Sequence, residues 1–287
     1  MQTISLDGQP LDLDTTLSCG QAFRWRRRED GLWQGVIGDR FVELGVKGDT
    51  LSYRTFPDGG DELVRDYLRL SDDVKYIYAY LQNRDRRLAA QIQRFYGLRL
   101  LRQPPNETLI SFMCSAANNI SRISNSIEAL ARHYGKLICE RDGVCYYAFP
   151  SCERLAEADD ISRLCSLGFR GENIKNAARA ILERGEDWLI DLRGQPYDEA
   201  REQLMSLNGV GAKIADCVCL FALDKDEAAP VDTHVRQLAQ RLFLPGLNTK
   251  SMTDGVYRAI VKAFRDRYDG LAGWAQQFLY YEDLLRP

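Results

Sequence analysis

Lys213 and Asp232 are the residues whose types and setting best suit covalent chemistry in this chain. A lysine amine becomes a nucleophile once it loses its proton, and an ionised carboxylate nearby stabilises a developing positive charge. Lys213 lies in LMSLNGVGAKIADCVCLFALDK, where one helix ends, the chain turns through Leu207, Asn208, Gly209, Val210 and Gly211, and a second helix starts at about Ala212. Gly209 and Gly211 are expected to supply positive φ and to let a foreign backbone come close. The amides of the turn and of the next helix's first turn point outward at a partial positive charge, which suits one phosphate of a nucleic-acid backbone. Lys213 falls in that first turn. Asp232 follows a loop containing Pro230 and is expected at the N-cap of a third helix. A lysine and an aspartate beside a phosphate-gripping hairpin point to chemistry on a sugar carbon rather than to binding alone.

The elements that must position this pair read as an α+β chain in two parts. Residues 1–57 are β-rich: Asp30-Gly31, Gly38-Asp39 and Gly48-Asp49 punctuate LWQGVI, RFVELGV and TLSYRTF, and predict a small antiparallel meander. Residues 61–103 change to helical periodicity, with Gly97 as a helix stop. Pro104-Pro105 marks a boundary, so an N-terminal α+β domain over 1–103 is expected to precede a mostly helical core over 104–287, with its hairpin at about 204–220. Helices are expected from near Asn106, from about Ser121 to Gly135, and over 173–183 and 197–207.

Composition narrows the class. The 287 residues carry a net charge of −3, unusual for a purely electrostatic DNA binder. Arg24, Arg26, Arg27 and Arg28, and the arginine-rich stretch 84–102, predict local basic surface instead. The N-terminus lacks the basic start and apolar run of a secretory signal, and the apolar run from Cys217 to Leu223 is too short to span a bilayer. A cytoplasmic monomer with no membrane contact is the expectation. The 8 cysteines are expected to be reduced, and the absence of CxxC pairs argues against a zinc site.

The hairpin with Lys213 and Asp232, and above all ADCVCLFALDK and PVDTH, resembles the helix-hairpin-helix DNA glycosylases and within them the 8-oxoguanine DNA glycosylase/lyases. The absence of cysteine beyond Cys219 sets the chain apart from the relatives with a C-terminal iron–sulfur loop. The resemblance runs from about Leu17 to Leu285 and takes in CGQAFRW, CSAANNISR, GFR and GWAQQFLY. It implies that Lys213 is the nucleophile and Asp232 the group that stabilises the sugar cation. It implies a base pocket of Gly20, Cys217, Gln276 and Tyr280, with Asp283 a further candidate one helical turn on. The Gly20 carbonyl would accept the N7–H that 8-oxoguanine has and guanine lacks. Gln276 would meet the base's Watson–Crick edge, and Tyr280 and Cys217 its two faces. Tyr280 stands where phenylalanine is common, so its hydroxyl needs a partner.

DNA contacts are implied for Asn118, Asn119, Arg122, Phe169, Arg170, Gly209, Gly211 and His234. Phe169 would wedge into the duplex, offsetting the unstacking cost of base flipping, and Arg170 would meet the estranged cytosine. Ala117 replaces the first asparagine of the family's CSxNNNIxR, which implies a weaker preference for cytosine opposite the lesion. No cofactor is called for. The carbonyls of Met205, Leu207 and Val210 could hold a structural monovalent cation, as in relatives. The implied partner is double-stranded DNA containing 8-oxoguanine. Two other readings stay open: a monofunctional alkylated-base glycosylase, which would lack the lysine, and a non-catalytic hairpin module that only grips DNA.

Overall fold

The computed structural model describes residues 1–116, 118–185, 187–247 and 251–286. Five strands, β1 (Gln2–Ser5), β2 (Arg26–Arg27), β3 (Trp33–Ile37), β4 (Arg40–Lys47) and β5 (Thr50–Phe56), form an antiparallel sheet in the order β1-β5-β4-β3-β2. A short helix α1 (Leu13–Ser18) stands between β1 and β2, capped by Asp12 through the Thr15 amide. The expected meander is therefore present and gains an N-terminal strand at its edge.

Helices α2 (Asp61–Tyr67), α3 (Val74–Arg84) and α4 (Arg86–Arg94) follow, and α5 (Pro105–Cys114) opens with proline in its first turn, where no amide is missed. Helix α6 (Ile120–Tyr134) starts at an Asn119 N-cap whose side chain accepts from the Arg122 amide. The chain then makes a β-hairpin, β6 (Leu137–Arg141) and β7 (Val144–Tyr147), turning at Asp142-Gly143. Helices α7 (Cys152–Ala156), α8 (Ile161–Leu164), α9 (Arg170–Arg184) and α10 (Trp188–Asp191) lead to α11 (Tyr197–Met205) and α12 (Ala212–Ala222). Helices α13 (Thr233–Leu242), α14 (Asp254–Tyr268) and α15 (Ala272–Leu284) complete the chain. None of the helices among the described residues is long and apolar enough to cross a membrane.

Core packing cuts across the expected division of the chain. Val42, Leu44, Leu51 and Tyr53 face one small core with Leu13, Leu17 and Val64. The buried side chains of α3 and α4, including Ile77, Tyr78, Leu81, Leu88 and Ile92, instead join the large core of the C-terminal helices. The other face of the sheet is covered by the β6–β7 hairpin, where the Phe41 and Tyr146 rings meet edge-on at 4.6 Å and Tyr146 donates to Gln34 at 2.9 Å. That explains why β4 reads as continuously buried rather than alternating.

Long-range polar contacts lock the segment after α2 to the C-terminal helices. Arg69 forks onto Asp226 at 2.7 and 2.9 Å. Trp274 Nε1 donates to the same carboxylate at 3.0 Å. Bidentate guanidinium–carboxylate pairs with little solvent access fix geometry as well as energy.

Candidate active site

The hairpin forms as expected between α11 and α12. The Val210 amide donates to the Leu207 carbonyl at 3.1 Å, and Gly209 takes φ +81 with Asn173 packed where a Cβ would lie. Gly211 corrects the expectation of positive φ: it is the α12 N-cap at φ −91, ψ 176, an extended conformation open to any residue. No atom lies within 4 Å of its missing Cβ, so that face of the turn is left open to an approaching backbone. The first amides of α12 have no side-chain cap, which leaves them available to an anion. As for a cation, the Leu207 carbonyl already accepts the Val210 amide and keeps one lone pair.

Lys213 sits in the first turn of α12 and reaches the C-terminal end of α5. Its Nζ donates to Ser115 Oγ at 3.0 Å and lies 5.0 Å from the Phe112 ring centre. Asp232 is the N-cap of α13 and accepts the Val235 amide at 2.9 Å. Both residues line a single cavity of about 740 Å³.

The same cavity is lined by Gly20, Cys217, Gln276 and Tyr280. Gly20 has φ +82, and a Cβ there would stand 3.3 Å from the Tyr280 ring, so a side chain would strain the backbone and crowd the ring. The preceding residue is held by Gln277, which donates to the Cys19 carbonyl at 2.8 Å. Cys217 is buried, and that burial pushes its thiol up to about 12, with Lys213 pulling it back and Asp216 and Asp232 adding to the rise. Burial likewise raises the Tyr280 phenol, with Asp232 next in effect. Gln276 is 4% exposed, and its Oε1 is buried without a hydrogen-bond partner. A buried acceptor with no donor is costly unless something else fills the space and supplies one.

Asp283 does not line the cavity. It accepts from Arg241 at 2.5 Å and lies 3.2 Å from His234 Nδ1. Burial works against its charge, but Arg241 and His234 together hold its carboxyl below the ordinary range. His234 does line the cavity, half exposed, with its ring edge-on to Tyr280 at 6.2 Å.

Around the mouth, Asn118 and Asn119 line the same cavity. Asn118 Nδ2 donates to the Cys114 carbonyl at 3.2 Å. Arg122 is exposed on the first turn of α6. Phe169 is 69% exposed, the largest exposure of any large apolar side chain among the described residues, on the loop before α9. The Arg170 guanidinium lies 4.9 Å from its ring centre and donates to the Ala116 carbonyl, from Nε at 2.8 Å. Ala117 lies outside the described residues.

Two family models divide the sequence between them: the 8-oxoguanine DNA glycosylase N-terminal domain matches residues 3–109, and the HhH-GPD superfamily of base excision DNA repair proteins matches residues 110–263. The N-glycosylase/DNA lyase OGG1 of Arabidopsis thaliana is 33% identical over 98% of this chain and 80% of its own. The chain belongs to the 8-oxoguanine DNA glycosylase/lyase family. Among solved structures, MBOgg1 in complex with a low-affinity DNA ligand superposes with a TM-score of 0.88 at 34% identity, over 98% of this chain and 94% of that one. The Clostridium acetobutylicum 8-oxoguanine glycosylase/lyase, bound to dsDNA with cytosine opposite 8-oxoG, gives 0.85 at 30% identity, over 97% and 92%.

In this member of the glycosylase/lyase family, the expected basic patches are largely neutralised. Arg24 is buried against Glu128 at 3.1 Å and Glu107 at 3.7 Å, Arg27 pairs with Asp14, and Arg28 with Asp30 and Asp142. In the second stretch Arg84 pairs with Asp269, Arg102 with Asp66 and Asp224, and buried Arg99 donates to the carbonyls of Pro10 and Arg69. These arginines are tied into the fold, while Arg26, Arg86 and Arg94 of the same stretches stay exposed.

Two residues near the site escaped sequence reading. Ser115 holds the Lys213 amine. Asp216, fully buried, accepts from Tyr197 and Arg201 at 2.8 Å each and from Tyr257. Burial pushes its carboxyl up, and Arg201 and then the two phenols pull it back. Tyr257 in turn accepts the Val231 amide at 3.4 Å, one residue before Asp232. A charged residue on the apolar face of α12 was the available signal for Asp216. Ser115 gave none, because its partner is far away in sequence.

Proposed function

We propose that the protein excises 8-oxoguanine from duplex DNA and then nicks the resulting abasic strand. One observation carries the reading: a lysine amine and a carboxylate border the same cavity as a buried carboxamide oxygen that has no donor of its own. The damaged nucleotide leaves the stack and enters that cavity. Gln276 meets the Watson–Crick edge, and its orphaned Oε1 gains the donor it lacks. The Gly20 carbonyl accepts the lesion's N7–H and repels the bare N7 of guanine. Tyr280 and Cys217 flank the ring, Cys217 as a neutral thiol.

Lys213, as the free amine, attacks C1′ while the bond from C1′ to N9 breaks and the base departs with the electron pair. Positive charge gathers on the sugar during this step, and Asp232 stabilises it. The resulting secondary ammonium gives up one of its two protons, and as the sugar ring opens O4′ leaves with a proton while the nitrogen lone pair forms the iminium, which keeps one N–H. Removal of a C2′ proton then expels the 3′-phosphate. The hairpin amides beyond Gly211 grip one phosphate, Phe169 fills the stack, and Arg122, Arg170 and His234 contact the strand around the gap. The same reading places the protein beside the genome, nucleoid-associated in a cell without a nucleus, and acting as a monomer.

The test is borohydride trapping on duplex DNA carrying 8-oxoguanine. A covalent adduct is expected with the native protein and none with Lys213→Gln; an adduct that persists in that variant refutes the assigned nucleophile. A panel including alkylated bases separates the monofunctional reading, which gives excision without an adduct, and the binding-only reading, which gives neither.

A further inference from the structure

The end of α5 is pinned by three side chains. Asn118 Nδ2 donates to the Cys114 carbonyl at 3.2 Å, Arg170 donates to the Ala116 carbonyl, and Ser115 Oγ donates to the Phe112 carbonyl at 2.6 Å. The last matters most. A hydroxyl has one proton and two lone pairs. With its proton committed to the carbonyl three residues back, Ser115 Oγ can act toward Lys213 only as an acceptor. It lies 3.0 Å from Nζ. The Phe112 ring stands 5.0 Å from the same nitrogen on one side.

We infer that Ser115 is the positioning residue for the Lys213 nucleophile, orienting the amine by accepting one of its N–H bonds while leaving its lone pair free for the sugar carbon. A free amine that gives one hydrogen to Ser115 keeps a second hydrogen and the lone pair. With the hydrogen anchored at the α5 end, rotation about the last side-chain bond is restricted, so the lone pair samples fewer directions. Ser115 borders the cavity beside the amine and takes no proton at any step. It therefore cannot be the base that activates Lys213, since both of its lone pairs belong to a weakly basic hydroxyl. The pinning by Arg170 and Asn118 keeps this acceptor from following the lysine as it moves.

The inference rests on Lys213 being the nucleophile, and the experiment separates the two. Single-turnover excision and borohydride trapping are measured for the native chain, Ser115→Ala and Ser115→Thr, on an 8-oxoguanine duplex, with dissociation constants for the same DNA measured alongside. Loss of one acceptor that aligns a reacting group is expected to slow adduct formation in Ser115→Ala on the order of tenfold. DNA affinity should change less than about twofold, because the contact is not to DNA. Ser115→Thr retains the hydroxyl and should return the rate to within about threefold of native. Ser115→Ala at the native rate overturns the inference, as does a threonine variant as slow as alanine, or a loss explained by weaker DNA binding. Absence of any adduct from the native chain removes the reading beneath it as well. Should the alanine variant fail to fold, the threonine variant decides alone: a rate more than tenfold below native with native affinity overturns the inference.

Discussion

Gln277, near the chain's end, donates its side-chain N–H to the Cys19 carbonyl at 2.8 Å, near the chain's beginning. This bond joins two walls of the cavity, since Gly20 follows Cys19 and Gln276 precedes Gln277. Gln277 is 1% exposed, so the bond is protected from water. Gln277→Leu is expected to let the Gly20 segment drift and to lower 8-oxoguanine excision roughly tenfold or more. Cleavage of a preformed abasic site needs no base recognition and should fall much less. Parallel single-turnover assays on the two substrates check the split; equal losses would place the effect in folding.

Asp232 caps α13 and lines the cavity at once, and two variants separate these duties. Asparagine caps as well as aspartate, so Asp232→Asn should leave thermal stability nearly unchanged while excision drops about a hundredfold or more through loss of the charge. Asp232→Ala should add a stability loss of about 1 kcal/mol from the missing cap. Denaturant unfolding and excision assays read the two effects independently.

Gln276 holds a buried oxygen with no donor in the free protein. Replacing such a group by an apolar one of similar size is commonly neutral or stabilising. Gln276→Leu is expected to match or exceed the native melting temperature while losing excision, the reverse of what a core residue does. A drop in melting temperature by several degrees would show that the carboxamide serves the fold.

Phe169 carries no packing load at 69% exposure. Phe169→Ala should leave stability within about 0.5 kcal/mol of native. Excision from a duplex should slow, because the unstacking cost of a few kcal/mol is no longer offset. Excision from a lesion already facing a mismatch, where less stacking is lost, should slow less.

Ala117 occupies the place of an asparagine in the segment CSAANNISR. On the proposed reading this removes one polar contact to the orphaned base, so excision opposite cytosine should exceed that opposite the other three bases by a smaller margin than in an Ala117→Asn variant. Rates against all four partners, in both proteins, measure this; identical profiles would remove Ala117 from the account of specificity.

What the sequence disclosed, and what it hid, follows from the range of the interactions. The hairpin, the Asp232 cap and the helix from 120 are set by neighbours a few residues apart, and turn glycine, cap and periodicity all mark them. The β6–β7 hairpin lies within the stretch read as mostly helical, and its sign is the turn pair Asp142-Gly143. The fate of the arginines could not be read locally. Arg28 finds Asp142 and Arg102 finds Asp224 only after the chain has folded back. The Ser115–Lys213 contact joins helices that are distant along the chain, and a serine at a helix end looks the same with or without a lysine above it. Gly211 was misjudged because a glycine that leaves room and a glycine that turns backward are spelled alike.

The proposed base slot draws on Gly20 in the first tenth of the chain, on Cys217 in α12, and on Gln276 and Tyr280 of α15. During synthesis the ribosome releases Lys213 and its hairpin well before Gln276 and Tyr280 emerge. On the proposed reading, a nascent or prematurely terminated product therefore carries Lys213 without the recess for the base. Incomplete copies, on that reading, lack the recess that recognises the base, and competence to excise the lesion arrives only with the helix that carries Gln276 and Tyr280.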